Sequence, residues 1–151
     1  MSMIAPASID PAALLDAFTR EAAGAGAGAI ASFTGLVRSD DGAVSSLWLD
    51  HHPTLTVRAI DDIADAARAR FDLLTVHITH RVGDVAPGAP IVFVAAAARH
   101  RRAAFEAVDY MMDRLKTDAP LWKREQRGDG AVWIEARAGD HADRARWEGQ
   151  E

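Results

Sequence analysis

The chain has no cysteine, a single tyrosine and no long apolar run. Without a thiol there can be no disulfide, no thiolate zinc site and no cysteine nucleophile. That absence fits a reducing, cytoplasmic setting. A bilayer-crossing helix needs ~20 consecutive apolar residues, and no run in this sequence approaches that length. The opening MSMIAPASIDP lacks a basic stretch followed by an apolar one, so no secretory signal is expected there. Positive charge is not in excess either, the net charge being -5. This disfavours a general nucleic-acid or anionic-membrane binder. An anionic ligand must then be met by a local basic cluster. No fixed-period repeat is evident.

What is present is enough for one domain. A chain of 151 residues can bury a core without staples. Its most informative stretch is His100 to Glu125, HRRAAFEAVDYMMDRLKTDAPLWKRE. Arg102, Glu106, Asp109 and Asp113 recur at helical intervals and predict a wet stripe. Phe105, Val108, Met112 and Leu115 do the same and predict a packed one. Pro120 cannot continue a helix and biases Ala119 toward extended backbone, so the helix should stop near Thr117. Lys116 then falls in its last turn and Lys123 in an extended segment just beyond.

The rest of the chain supplies a frame for that helix. Asp10-Pro11 reads as a helix start, N-cap followed by proline. The Gly/Ala run over 24–28 breaks that helix. Segments 29–37 and 43–50, separated by a turn, predict two strands joined as a hairpin. A helix follows over 54–71, with Ile60, Ile63, Ala64, Ala67 and Phe71 inward. Strands are expected over 73–81, 90–98, 121–127 and 131–137. The charged tail over 138–151 is open between a short helix and a loose segment. The pattern predicts an α+β fold with a mostly antiparallel sheet and packed helices.

Few catalytic signatures survive inspection. His77 and His80 are three apart on a predicted strand and point to opposite faces, and no HExxH spacing occurs, so no metal site is expected. There is no GxSxG nucleophile motif. The run GAGAGAI precedes a strand and not a helix, the reverse of a dinucleotide fingerprint. The basic set Arg38, His100, Arg101, Lys116 and Lys123 remains. Each has an ordinary alternative role, a lysine in a last helical turn offsetting the helix dipole for instance. An anion pocket requires several of them to converge.

The segments GAIASFTGLVR (28–38), HRVGDVAPGAPIVFVAAAARHRRAAFEAVDYMMDRLKTDAPLWKRE (80–125) and VWIEAR (132–137) closely resemble the large, catalytic subunit of molybdopterin synthase. The combination of FTGxVR, HRxGxxxxG, HRxxAF and LKTxAPxWKxE is specific. The resemblance implies an α+β fold with a hammerhead-like portion, and a homodimer within a heterotetramer. The other subunit is a small ubiquitin-like sulfur carrier, whose C-terminal Gly-Gly thiocarboxylate enters a pocket and gives sulfur to cyclic pyranopterin monophosphate. It implies no cofactor and no metal for the step. Carried over, Lys116 and Lys123 match the family's functional lysines. Arg38, His100, Arg101, Arg124, Glu125 and Arg137 match substrate-binding positions, and Phe33 and Met112 match pocket-lining ones. The sequence departs from the family at LDHHP (49–53), Leu36 and Leu121, and in the short turn at 39–42. The alternative is a non-catalytic scaffold that binds a ubiquitin-like tail.

Overall fold

The computed structural model describes residues 1–149. Its elements in chain order are β1 (Ser2–Ala5), α1 (Pro11–Gly24), β2 (Ala29–Leu36), β3 (Val44–His51), α2 (Leu55–Phe71) and β4 (Thr75–Arg81). They continue with β5 (Gly83–Val85), β6 (Pro90–Ala98), α3 (Arg101–Thr117), β7 (Leu121–Arg127), β8 (Gly130–Ile134) and α4 (Ala138–Ala145). Two four-stranded sheets result, ordered β1-β4-β6-β2 and β5-β3-β7-β8. Among the described residues, only the β1–β4 pair is parallel. The fold is α+β and antiparallel-rich, as its sequence pattern predicts. Among the described residues, no helix is long and apolar enough to cross a membrane.

β6 explains the first sheet. Its nearly uninterrupted apolar run is buried on both faces, the usual reason for a strand without polar alternation. Phe93, Ala95 and Ala97 pack under Phe18 and Ala22 of α1. Val92, Val94, Ala96 and Ala98 pack on the other face, against Ile60, Ile63 and Ala67 of α2 and Ala107 and Met111 of α3. α1 starts as its sequence demands, with Asp10 accepting from the N–H groups of Ala12 and Ala13 at 3.0 and 3.2 Å.

The predicted hairpin of 29–37 and 43–50 does not form. β2 pairs with β6, whereas β3 pairs with β5 and β7 in the second sheet. The turn over 39–43, with Asp40, Asp41 and Gly42 at positive φ, carries the chain between sheets. A third apolar cluster of Val37, Leu47, Leu49, Val82 and Val85 joins the two at their seam. β1 and β5 were too short to signal themselves, and the strand expected over 131–137 ends at Ile134.

The helix stripes also need correction. α3 ends at Thr117 as Pro120 requires, but Phe105 is 66% exposed and Asp113 is buried. The helix turns Ala104, Ala107, Val108, Met111 and Leu115 inward instead. Asp113 is buried because the tail returns to it. Its Oδ2 accepts from Trp147 Nε1 at 2.7 Å and from Arg146 at 2.8 Å. The Trp147 ring lies edge-on to Phe71 and Tyr110. Arg144 adds a bond to Asp118 at 3.1 Å. The tail over 138–149 is therefore a docked helix and turn. Residues 150 and 151 lie outside the described residues.

Candidate functional site

The two lysines meet at the seam between the sheets. Pro120 forces the chain off the end of α3 directly into β7, which returns beside the last helical turn. Alternation along β7 then aims Leu121, Lys123 and Glu125 to the inner side. Lys116 and Lys123 share a cavity of about 410 Å³ with Arg38, Glu125, Arg137 and Asp140. A second cavity of about 270 Å³ continues from the same two lysines past Phe33, Gly35, His80 and Met112. These are the only lysines in the chain.

The charges around them are arranged unevenly. Lys116 Nζ donates to Asp140 Oδ1 at 3.2 Å, and Asp140 Oδ2 accepts from the backbone N–H of Arg137 at 2.8 Å. Burial alone would raise the Asp140 carboxyl, but these two contacts hold it below its ordinary value. At the rim, Arg127 binds Glu125 and Asp40, both at 2.6 Å, which occupies two of the acids. Among the described residues, Arg38, Lys123 and Arg137 form no ion pair. The pocket thus presents unpaired cations on several sides.

Lys123 is the perturbed group. Burial lowers its pKa, the Lys116 ammonium lowers it further and Asp140 partly opposes them. A lysine in that condition gives up a proton more readily than one on the surface, which suits proton transfer or nucleophilic work. His80, on the cavity floor, is pushed down to about 4, chiefly by burial.

Not every expected residue arrives at this place. Arg38, Lys116, Lys123, Glu125 and Arg137 converge on the larger cavity, and Phe33 and Met112 line the smaller one. Arg124 does not join them. As the even-numbered neighbour of Lys123 it faces the other side of the sheet, over Trp133 at 5.6 Å and near Trp48 and Asp84. His100 and Arg101 sit at the opposite end of α3 in a separate hollow with Phe105, about 24 Å along the helix from Lys116 by its rise per residue. The sequence reading missed Asp140, and its signal was an acid in the first turn of a short helix. Among the described residues no cluster suits a metal ion.

The model of the MoaE protein family matches residues 4–118, more than half of the chain. The chain belongs to the MoaE family. A Caulobacter vibrioides protein named molybdopterin synthase catalytic subunit is 54% identical over 121 residues, covering 80% of this chain and 81% of its own. One of the same name from Pseudomonas aeruginosa is 44% identical over 144 residues, covering 94% and 95%. A solved MoaE protein from Burkholderia ambifaria superposes with a TM-score of 0.82 at 39% identity over 97% of each chain. The Pseudomonas comparison carries the likeness beyond the family model's limit, into the region of Lys123 and Arg137.

Proposed function

We propose that this MoaE-family chain is the catalytic subunit of a molybdopterin synthase, acting as one cytoplasmic domain. It takes sulfur from the C-terminal thiocarboxylate of a small ubiquitin-like partner and gives it to cyclic pyranopterin monophosphate, leaving the dithiolene. One observation carries the reading: the only two lysines meet where a charged cavity joins a smaller one lined mostly by apolar side chains.

The two cavities suit two different ligands. A Gly-Gly tail has no side chains and suits the smaller cavity by Phe33, Gly35 and Met112. A cyclic phosphate and a thiocarboxylate are both anionic, so bringing them together needs fixed positive charge in a partly dry place. Arg38 and Arg137 suit bidentate phosphate binding. Lys116, at the junction of the cavities, would contact tail and substrate, and Lys123 would move the proton. His100 and Arg101 are too far away to serve the same pocket within one chain. In a homodimer they would serve the pocket of the second copy, which gives the pair of large subunits in the heterotetramer a chemical purpose. Arg124 is better placed to support the partner-facing or outer surface than the substrate.

The test is single-turnover conversion of cyclic pyranopterin monophosphate by thiocarboxylated partner, with the parent chain and with Lys116→Ala. Dithiolene product from the parent and at least ~100-fold less from the variant is the expected result. A parent that binds its partner yet forms no product would leave the scaffold role.

A further inference from the structure

His80 is a buried histidine that none of the chemistry above uses. It sits on β4 opposite Val92 of β6 and forms part of the smaller cavity's wall with Met112, Leu115 and both lysines. Its Nδ1 lies 2.8 Å from the carbonyl oxygen of Arg81. A carbonyl oxygen only accepts, so Nδ1 carries the proton and Nε2 presents a lone pair. Among the described residues Nε2 has no hydrogen-bond partner, and it is not sealed away, because Arg81 Nε is the one buried side-chain polar atom left unpaired. The lone pair therefore opens toward the cavity.

Lys123 needs such a partner. Its ammonium has lost much of its water, and the nearest paired acid, Asp140, is committed to Lys116. The other charged groups around it are Arg38, Lys116, Glu125 and Arg137, and Glu125 is held by Arg127. A carboxylate in the place of His80 would cancel the positive charge that an anion requires. A neutral imidazole orients an N–H without cancelling it. Burial keeps this ring neutral through the physiological range, its pKa pushed down to about 4.

We propose that His80 is a positioning residue for Lys123: once a bound anion draws the Lys123 ammonium into the smaller cavity, the free Nε2 of His80 accepts a hydrogen bond from it and aims that group at the anion. The role in turnover rests on the sulfur-transfer function above, but the contact itself does not.

With only two lysines, a chain labelled with ¹⁵N and ¹³C at lysine gives two side-chain signals, so Lys123 can be titrated directly. His80→Asn keeps an N–H for the Arg81 carbonyl and loses the acceptor at Nε2. His80→Gln reaches further and restores an oxygen near that position. A hydrogen bond to the charged form favours it, so with inorganic pyrophosphate bound the Lys123 pKa should fall by at least about half a unit in His80→Asn and recover in His80→Gln. Single-turnover sulfur transfer should fall about tenfold or more in His80→Asn and stay within about threefold in His80→Gln, with partner affinity unchanged. Lys123 titrating alike in all three proteins would overturn the proposal. So would equal losses in both variants together with weakened partner binding, the mark of a merely structural residue. If the parent transfers no sulfur, the pterin function fails while the titration still decides the His80 contact.

Discussion

Lys116 and Asp140 form an ion pair at 3.2 Å inside a pocket otherwise suited to anions. The acid comes from α4, and the same carboxylate caps that helix through the Arg137 N–H. It supplies a built-in counter-charge that an incoming anion must compete with. Asp140→Asn keeps an oxygen for the cap and removes the charge. Inorganic pyrophosphate should then bind about 2- to 5-fold more tightly at low salt, the effect fading as salt rises. Calorimetric titration at two ionic strengths measures it, and unchanged affinity at low salt would remove Asp140 from the pocket's electrostatics.

Lys123 makes stability depend on pH in a defined direction. Its folded pKa lies below the ordinary 10.5, burial being the largest cause. Between the two values the unfolded chain binds the extra proton, so stability rises with pH across that window. At neutral pH the folded state carries the cost of a buried ammonium. Lys123→Met should therefore be more stable than the parent at neutral pH, with the gap closing as pH approaches 10.5. Urea denaturation midpoints across that range decide it, and a gap that widens with pH contradicts the assignment.

Gly35 keeps the smaller cavity open. A Cβ there would stand 2.7 Å from Val92 Cγ1 and 3.2 Å from Phe33 Cε1. Gly35→Val should cost about 1–3 kcal/mol of stability through overpacking. It should also reduce affinity for the full-length partner to that of a partner lacking its last two residues. Parental affinity in the variant would mean that the tail runs elsewhere.

The docking of the C-terminal segment depends on Asp113. Asp113→Ala leaves the buried Trp147 indole N–H without its acceptor and takes from Arg146 one of its two carboxylates, Asp109 remaining. The expected cost is about 1–3 kcal/mol, or roughly 2–12 °C in melting temperature for a chain of this size. Scanning calorimetry checks it, and an unchanged melting temperature contradicts it.

The distance between Arg101 and Lys116 predicts complementation in mixed dimers. A dimer of Arg101→Ala with Lys116→Ala carries both defects in one pocket and none in the other, if each pocket draws on both chains. Mixing the two inactive variants should restore roughly one quarter of parental turnover after exchange. No recovery after verified exchange would place Arg101 outside the pocket.

Local chemistry was legible where one residue decides an outcome. Asp10-Pro11 started α1, and Pro120 stopped α3 and put Lys116 and Lys123 on either side of a turn. Choices between faces were legible only where the neighbours were known. Phe105 and Asp113 exchanged their expected places because helical spacing gives a face but not what covers it, and the cover over Asp113 comes from Arg146 and Trp147, more than thirty residues later. The hairpin of β2 and β3 failed for a similar reason: two adjacent strands each found a better partner at long range. Arg124 shared a motif with Lys123, yet single-residue alternation sent it to the opposite side of the sheet. β-strand parity alone would have separated them.

The chain holds fifteen arginines and two lysines. Away from the seam between the sheets, every side-chain cation that pairs with an acid or lies over an aromatic ring among the described residues is a guanidinium, as at Arg114, Arg127 and Arg146. The ammonium is kept for the seam between the sheets. A guanidinium stays protonated under any condition a cell provides, whereas an amine in a drying cavity can let go of its proton. The composition itself therefore acts as a natural substitution experiment, in which the tolerance for arginine stops where charge alone no longer suffices.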